Sequence, residues 1–409
     1  MEAFLCLDLK HHVTELWHVF EMTKIFLTIK EKFSVSFVYL KRVVLILFVS
    51  ISIGCKKSNN AGSEARVHHP TSENSNFSKI KTLTEVNRTS REFDELSSRL
   101  NVAQFIIEPG KELILGSVSD IEIDEEDQLY LLDSDQLHIF RINTKNGSVD
   151  TLSKKGRGPG EILHPTAIEV RNQSLYISDE SIGITSINIT DRSDTKVLLS
   201  DTSIMDFAVT DAGIFLKKRN IIPNPNNLLK TFEFYDFNSK TITNEFGDGY
   251  VHEHGFPVNS YTLGAIEFVQ DENMLIAINR YTPIISGYLD GELTWQRKLN
   301  EFKQYEILSF NRGYRIHEKH THENEERRVP YDYVSTIKHI KNGIMILQVN
   351  TLKWGVRDKK DQKLKTFLIN SRNGESTQIN DMPKIMAITG NKFVAFEQTK
   401  DSMYKLYQF

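Results

Sequence analysis

Val118-Ser119-Asp120-Ile121-Glu122-Ile123 leads through the acidic turn Asp124-Glu125-Glu126-Asp127 to Leu129-Tyr130-Leu131-Leu132-Asp133, and the pattern then returns. The next copy is Ala167-Ile168-Glu169-Val170, the turn Arg171-Asn172-Gln173, and Leu175-Tyr176-Ile177-Ser178-Asp179. Met205 to Val209 with Ile214 to Leu216 makes a third, and Ala265 to Val269 with Met274 to Ile278 a fourth. Thr336 to Ile340 with Ile344 to Leu347, then Ile385 to Ile388 with Phe393 to Phe396, complete the series of six. Short apolar runs joined by polar turns are hairpin strands. A hairpin unit cannot bury its own face, so copies must stack on one another.

Further strand-like runs follow each pair, as in His138 to Ile142 and Val149 to Leu152, which completes a four-stranded blade. The reading is an all-β fold, a six-bladed β-propeller over residues 96–409. Blade six runs out of chain after Tyr404-Lys405-Leu406-Tyr407, with room for only three strands. An open edge exposes unpaired backbone and invites aggregation. The N-terminal strand Val102-Ala103-Gln104-Phe105-Ile106-Ile107 is therefore expected to close the last blade beside residues 403–408.

The 409 residues are 39% hydrophobic and 25% charged, enough to bury a large core. Fifty basic and 54 acidic residues leave a net charge of −4, so no global field favours nucleic acid, which is excluded as a partner. Only Cys6 and Cys55 occur, both ahead of the blades, so no disulfide framework holds the domain together. Packing must do so, and 24 Phe with 14 Tyr suit the wedge-shaped gaps between twisted sheets. A monomeric propeller is expected.

Lys41 and Arg42 precede an apolar run from Val43 to Ile53, with small Gly54 directly before Cys55. That run is about eleven residues, where a spanning helix needs about 20, so it reads as a signal rather than a membrane span. Ser52-Ile53-Gly54-Cys55 resembles a bacterial lipobox, with Ser52 where an aliphatic residue is usual. The resemblance makes residues 40–55 a lipoprotein signal peptide and Cys55 the lipidation site, giving a membrane partner through a lipid anchor. Residues 1–39 fit no signal and form an atypical extension, with translation expected to begin near Leu40. Residues 56–95, rich in Ser, Asn, Lys and Glu at their start, read as a flexible tether.

From about Leu96 to Asp179, the strand ending in Asp133 and then Lys155-Gly156-Arg157-Gly158-Pro159-Gly160-Glu161 resemble the six-bladed β-propeller lipoproteins of Bacteroidetes, relatives of NHL-repeat propellers. The resemblance implies a cell-envelope location and supplies no catalytic residues. In such bacteria, surface export signals usually place acidic residues after the lipidated cysteine. Here Lys56-Lys57-Ser58-Asn59-Asn60 follows, which tilts the expectation towards the periplasmic side rather than the cell surface.

Candidate ligand-binding residues lie on the face of the blade-to-blade connections, where loops on a rigid scaffold concentrate function. Arg157 could grip a carboxylate or phosphate, with Glu161 projecting beside it, although the loop lacks the strand-to-helix context of a phosphate loop and reads first as a turn. Asp133 and Asp179 end the second strands of their blades, where an Asp fixes a turn through backbone N–H groups. Calcium at the ring centre is the sharper alternative, but it takes about six or more oxygens, and blades three to six have no Asp at the matching strand end. His252 and His254, and His317, His320 and His322, fall at spacings that could present imidazoles to zinc, yet they read first as loop histidines. No cofactor is called for.

Glu122, Glu169 and Glu267 sit on the first strands of their blades and could ring the channel. Their alternation with Ile121, Ile168 and Ile266 is equally that of ordinary strands, which is the preferred reading. The expectation is a binding or assembly module for a glycan, peptide or partner protein rather than an enzyme. The alternative is a metal-assisted hydrolase or lyase at the central channel, which would require a buried axial cluster of carboxylates or histidines.

Overall fold

Six four-stranded antiparallel sheets answer to the six sequence units. The computed structural model describes residues 66–68, 101–107, 115–200, 203–219, 230–250, 255–299, 302–304, 307–310, 313–316, 318–320, 326–328, 331–352, 364–379, 382–390, 392–397 and 403–408. Cys6, Cys55, the signal segment and all of the tether except Arg66–His68 lie outside them.

The inner strands are Val118–Ile123, Pro165–Arg171, Ile204–Val209, Gly264–Val269, Tyr331–Lys341 and Lys384–Thr389. Each touches the next, and the sixth touches the first, so the ring is closed. Strand alternation explains the placement, because one face of every strand carries Ile, Leu, Val or Phe towards a neighbouring blade. Ile168, Leu175 and Ile177 of blade two pack on Tyr130, Leu132 and Ile139 of blade one. The last joint buries Ala387 and Val394 of blade six against Ile121, Leu129 and Leu131 of blade one. A fully buried Leu or Ile contributes about 1.5–3 kcal/mol, so such inter-blade seams carry the stability that no disulfide supplies.

Closure follows the expected route. Asn101–Ile107 forms the outer strand of blade six beside Met403–Gln408, with Phe105 opposite Leu406 and Ile107 opposite Tyr404. N- and C-terminal segments thus share one sheet, and the edge strand that would have been left open is paired.

Several boundaries differ from the sequence reading. The inner strand of blade five begins at Tyr331, not Thr336, because the ladder Tyr331↔Leu352 to Lys341↔Ile344 carries the hairpin beyond the apolar run. The outer strand of blade three, Thr241–Asp248, runs through Phe246, Gly247 and Asp248, since Phe246 pairs with Phe232 and Asp248 with Lys230. Within the stretch read as tether, Arg66–His68 pairs with Ile307–Phe310, which in turn pairs with Gly313–Ile316. A short helix, Gly255–Thr262, precedes the inner strand of blade four. No helix among the described residues is long and apolar enough to cross a membrane.

Candidate functional site

The inner strands surround an axial cavity of about 670 Å³, to which all six blades contribute. Its wall is built by a repeated device in two tiers. In the first, Asp120 Oδ2 accepts the N–H of Ile168 at 2.8 Å, and Asp206 Oδ2 accepts that of Ile266 at 2.8 Å. In the second, one pleat repeat further along the strand, Glu169 Oε2 accepts from Val209 N at 2.9 Å and Glu267 Oε1 from His339 N at 2.9 Å. Each carboxylate reaches from its own inner strand to the backbone of the next blade. Four successive joints, from blade one to blade five, are fastened in this way.

Blades five and six are joined by neutral groups instead. Thr336 Oγ1 donates to Ile385 O at 2.9 Å, while Gln348 Oε1 accepts from Ile385 N at 2.7 Å and its Nε2 donates to Pro383 O at 2.8 Å. Lys392 of blade six pairs with Asp127 of blade one.

Glu122 occupies the position that Glu169 holds in blade two, opposite Tyr130 as Glu169 is opposite Tyr176. It is not used to tie a neighbour. Its Oε1 instead meets Lys338 Nζ of blade five at 2.5 Å, reaching past blade six. Both side chains are less than a quarter exposed, at 13% and 22%, so the pair is only partly wetted by the cavity it lines.

The charge balance around this pair is uneven. Asp120, Glu122, Glu169, Asp206 and Glu267 all line the cavity with Lys338 as the ammonium among them. Burial raises the pKa of every one of the five; Lys338 and the N–H groups of Ile168 and Ile121 pull Asp120 partly back, and Lys338 alone pulls Glu122 back. Glu169 is pushed well above the ordinary carboxylate value by burial and by Glu122. Asp206 and Glu267 are each pushed up to about 7, again chiefly by burial. Burial works against the charge on Lys338, yet Glu122, Glu267 and Asp120 outweigh it and hold the ammonium well above its usual range. Glu169 and Glu267 each spend one oxygen on a backbone N–H, and the other has no hydrogen-bond partner among the described residues.

The mouth on the side of the blade connections is different in sign. Arg219 pairs with Glu180 at 2.9 Å, and the guanidinium of Arg280 lies 5.4 Å from the ring centre of Tyr333 and 5.9 Å from that of Tyr281. No ion pair joins Arg280 to a carboxylate of the described residues. At the opposite mouth Arg171 is held by Asp211 at 2.8 Å. The cavity is therefore bipolar, acidic at its waist and with a stacked guanidinium at one rim.

Of the other candidates, Asp133, Asp179, Arg157 and Glu161 do not line this cavity. Asp133 is fully buried, and its carboxylate accepts from the N–H groups of Gly116 (2.6 Å), Ser117 (3.2 Å), Asp135 (3.1 Å) and Gln136 (3.0 Å). Asp179 accepts likewise from Leu163 (2.7 Å), His164 (2.9 Å) and Ser181 (2.8 Å). Glu161 folds back over its own loop, with Oε2 accepting from Gly158 N at 2.7 Å and its carboxyl against Gly156, while Gly160 takes φ +76°. Arg157 is exposed, and no ion pair links it to a described carboxylate. His252, His254, His317 and His322 lie outside the described residues, and His320 ends a short strand opposite Glu326. Among the described residues, no group of three or more His, Cys, Asp or Glu side chains converges as a metal site.

The sequence reading named Glu122, Glu169 and Glu267 but preferred to treat them as ordinary strand residues; the structure corrects this, because all three face the axis. Asp120, Asp206 and Lys338 were missed. A signal existed, since each is a charge set beside large apolar residues on an inner strand: Asp120 before Ile121, Asp206 between Met205 and Phe207, and Lys338 after Ile337.

Fold and waist together define a closed six-bladed propeller with a carboxylate-lined axis. The chain belongs to the DUF5128 family, a 6-bladed beta-propeller family, whose model matches residues 71–396. Among solved structures, it is similar to a member of the DUF4221 family from Bacteroides vulgatus, at 10% identity over 76% of this chain and 98% of that one, with a TM-score of 0.48. A protein of Bacteroides fragilis assigned as exported shows 13% identity over 80% and 98% of the two chains, with a TM-score of 0.47. Virginiamycin B lyase from Staphylococcus aureus shows 10% identity over 71% and 95%, with a TM-score of 0.39. No curated protein matches the sequence.

Proposed function

We propose that this protein is an envelope binding module, anchored by lipid at Cys55, whose axial cavity takes a peptide-class ligand that presents an amine. The anchor rests on the basic pair Lys41 and Arg42, the apolar run Val43 to Ile53 and the Gly54-Cys55 junction. The ligand class rests on one observation above all: five half-buried carboxylates line the cavity with Lys338 paired to one of them, and Glu169 and Glu267 each keep an oxygen without a partner among the described residues. A desolvated negative enclosure focuses its field on a cation and strengthens any hydrogen bond to it. Arg280 at the rim complements a carboxylate or backbone carbonyl of the same ligand. Of a glycan, a peptide and a partner protein, the peptide carries both signs. The carboxylates turn sideways to the next blade rather than towards one common point, which favours binding over the metal-assisted hydrolase reading.

Isothermal titration calorimetry with the tripeptide Gly-Lys-Gly, putrescine and glutarate tests this on the mature chain. Gly-Lys-Gly is expected to bind, putrescine more weakly, and glutarate not at all. Glutarate binding as well as the tripeptide, or no heat from either amine, would overturn the assignment.

A further inference from the structure

A second cavity, of about 560 Å³, opens between the outer halves of blades three and four, away from the axis. That volume falls within the range of about 300–1,000 Å³ typical of small-molecule pockets. Its back wall is aromatic. Phe232, Phe246 and Tyr288 form a triad with ring centres 5.3–5.5 Å apart and mutual tilts of 37–63°. Tyr250 lines one side, and Tyr261 from the short helix Gly255–Thr262 lines another.

Away from the charged rim, the polar groups on the lining are neutral, and several keep hydrogen-bonding capacity. Thr282 is 2% exposed, yet its Oγ1 has no hydrogen-bond partner. Asn279 accepts from Lys217 Nζ at 3.0 Å through Oδ1, which leaves its amide N–H groups, and Gln296 donates to Ser286 Oγ at 2.9 Å through Nε2, which leaves its carbonyl. A buried hydroxyl without a partner is costly, and a ligand hydroxyl in the cavity that Thr282 lines would complete the bond. The rim is acidic, with Glu245, Asp290 and Glu292 exposed and Asp248 paired to Lys230 at 2.9 Å. Such a rim repels phosphorylated or carboxylated molecules.

We propose that this inter-blade cavity binds a neutral saccharide of one or two rings. An aromatic wall suits the C–H face of a pyranose, and the mixed set of a free hydroxyl, a free amide donor and a free amide acceptor suits its edge of hydroxyls. The site shares no residue with the axial cavity, so it stands or falls separately from the peptide reading.

Saturation-transfer-difference NMR, followed by calorimetry, on the full mature chain tests the assignment with D-glucose, D-galactose, D-mannose, N-acetyl-D-glucosamine, maltose and cellobiose, and with glucose 6-phosphate as the charged counterpart. At least one neutral sugar is expected to bind saturably and its phosphate is not. Thr282→Val keeps the side-chain shape and removes the unpaired oxygen, so its melting temperature should not fall, while sugar affinity drops about tenfold, the worth of one hydrogen bond. Gln296→Leu should weaken binding by a similar factor. Silence from all six neutral sugars, equal binding of glucose 6-phosphate, or unchanged affinity in both variants would each overturn the proposal. Gly-Lys-Gly binding should be unaffected by Thr282→Val; a loss there would mean that one site had been read as two.

Discussion

Replacing Glu267 by Gln should stabilise the protein at mildly alkaline pH and leave it unchanged at acid pH. The carboxyl of Glu267 is pushed from an ordinary 4.5 up to about 7, first by burial. A carboxyl with a raised folded-state pKa holds its proton more tightly in the native chain than in the unfolded one. Its favourable contribution is therefore complete below about pH 4.5 and is lost as pH climbs through about 7. Each unit is worth about 1.4 kcal/mol, so the ionised side chain costs up to about 3 kcal/mol at about pH 8. Gln keeps a side-chain oxygen for the N–H of His339 but carries no charge. Allowing about 1 kcal/mol for the weaker neutral acceptor, the expected gain at about pH 8 is about 2 kcal/mol. For a domain this large, that is a rise in Tm of roughly 3 °C. Differential scanning calorimetry at fixed ionic strength, at about pH 5 and about pH 8, reads the difference directly. An equal shift at both pH values, or a fall at the higher one, would refute the reasoning, because it would place the effect in packing rather than in charge.

Removing the Lys338 ammonium has the opposite sign: Lys338→Met should cost about 3–5 kcal/mol at neutral pH by leaving Glu122 largely buried and unpaired, and Glu122→Gln added to it should recover part of that loss in urea denaturation. Lys217, fully buried and lowered to about 8 by burial, binds fewer protons folded than unfolded above that value. Stability should accordingly rise between about pH 8 and about pH 10, and Lys217→Met should flatten that rise. Asp133→Ala strands the N–H groups of Gly116, Ser117, Asp135 and Gln136 and should lower stability by about 2 kcal/mol or more, measured by thermal unfolding. In hydrogen exchange, the amides of Phe105 to Ile107 should be protected together with those of Tyr404 to Leu406; exchange of the former at the rate of free chain would contradict the closed ring.

The architecture was legible because its signal is periodic and local. Pairs such as Leu129 to Asp133 and Leu175 to Asp179 declare a strand and its turn within five residues, and the shortage of strands after Tyr407 points back to Val102 to Ile107. Asp133 and Asp179 were also readable as turn-fixing groups, since an Asp at a strand end needs only nearby backbone to act. The waist was harder to see. Whether Glu169 faces the axis or a neighbouring sheet depends on which inner residue opens the strand, and a bulge between Pro165 and Ala167 shifts that register by one. Lys338 was hidden for a further reason: its partner Glu122 lies more than two hundred residues away, and only closure of the ring brings blade five opposite blade one. Blade five also runs past its apolar core at both strands, so the run Thr336 to Ile340 marked only the centre of the element.

Carboxyl carbon NMR titration of the folded chain, with and without Gly-Lys-Gly, reaches the waist itself. Asp206 and Glu267 should titrate near 7, far from the exposed carboxyls, and both transitions should move to lower pH once the amine is bound. If every carboxyl titrates in the ordinary range and none responds to the peptide, the axis holds neither the desolvated charge nor the ligand assigned to it.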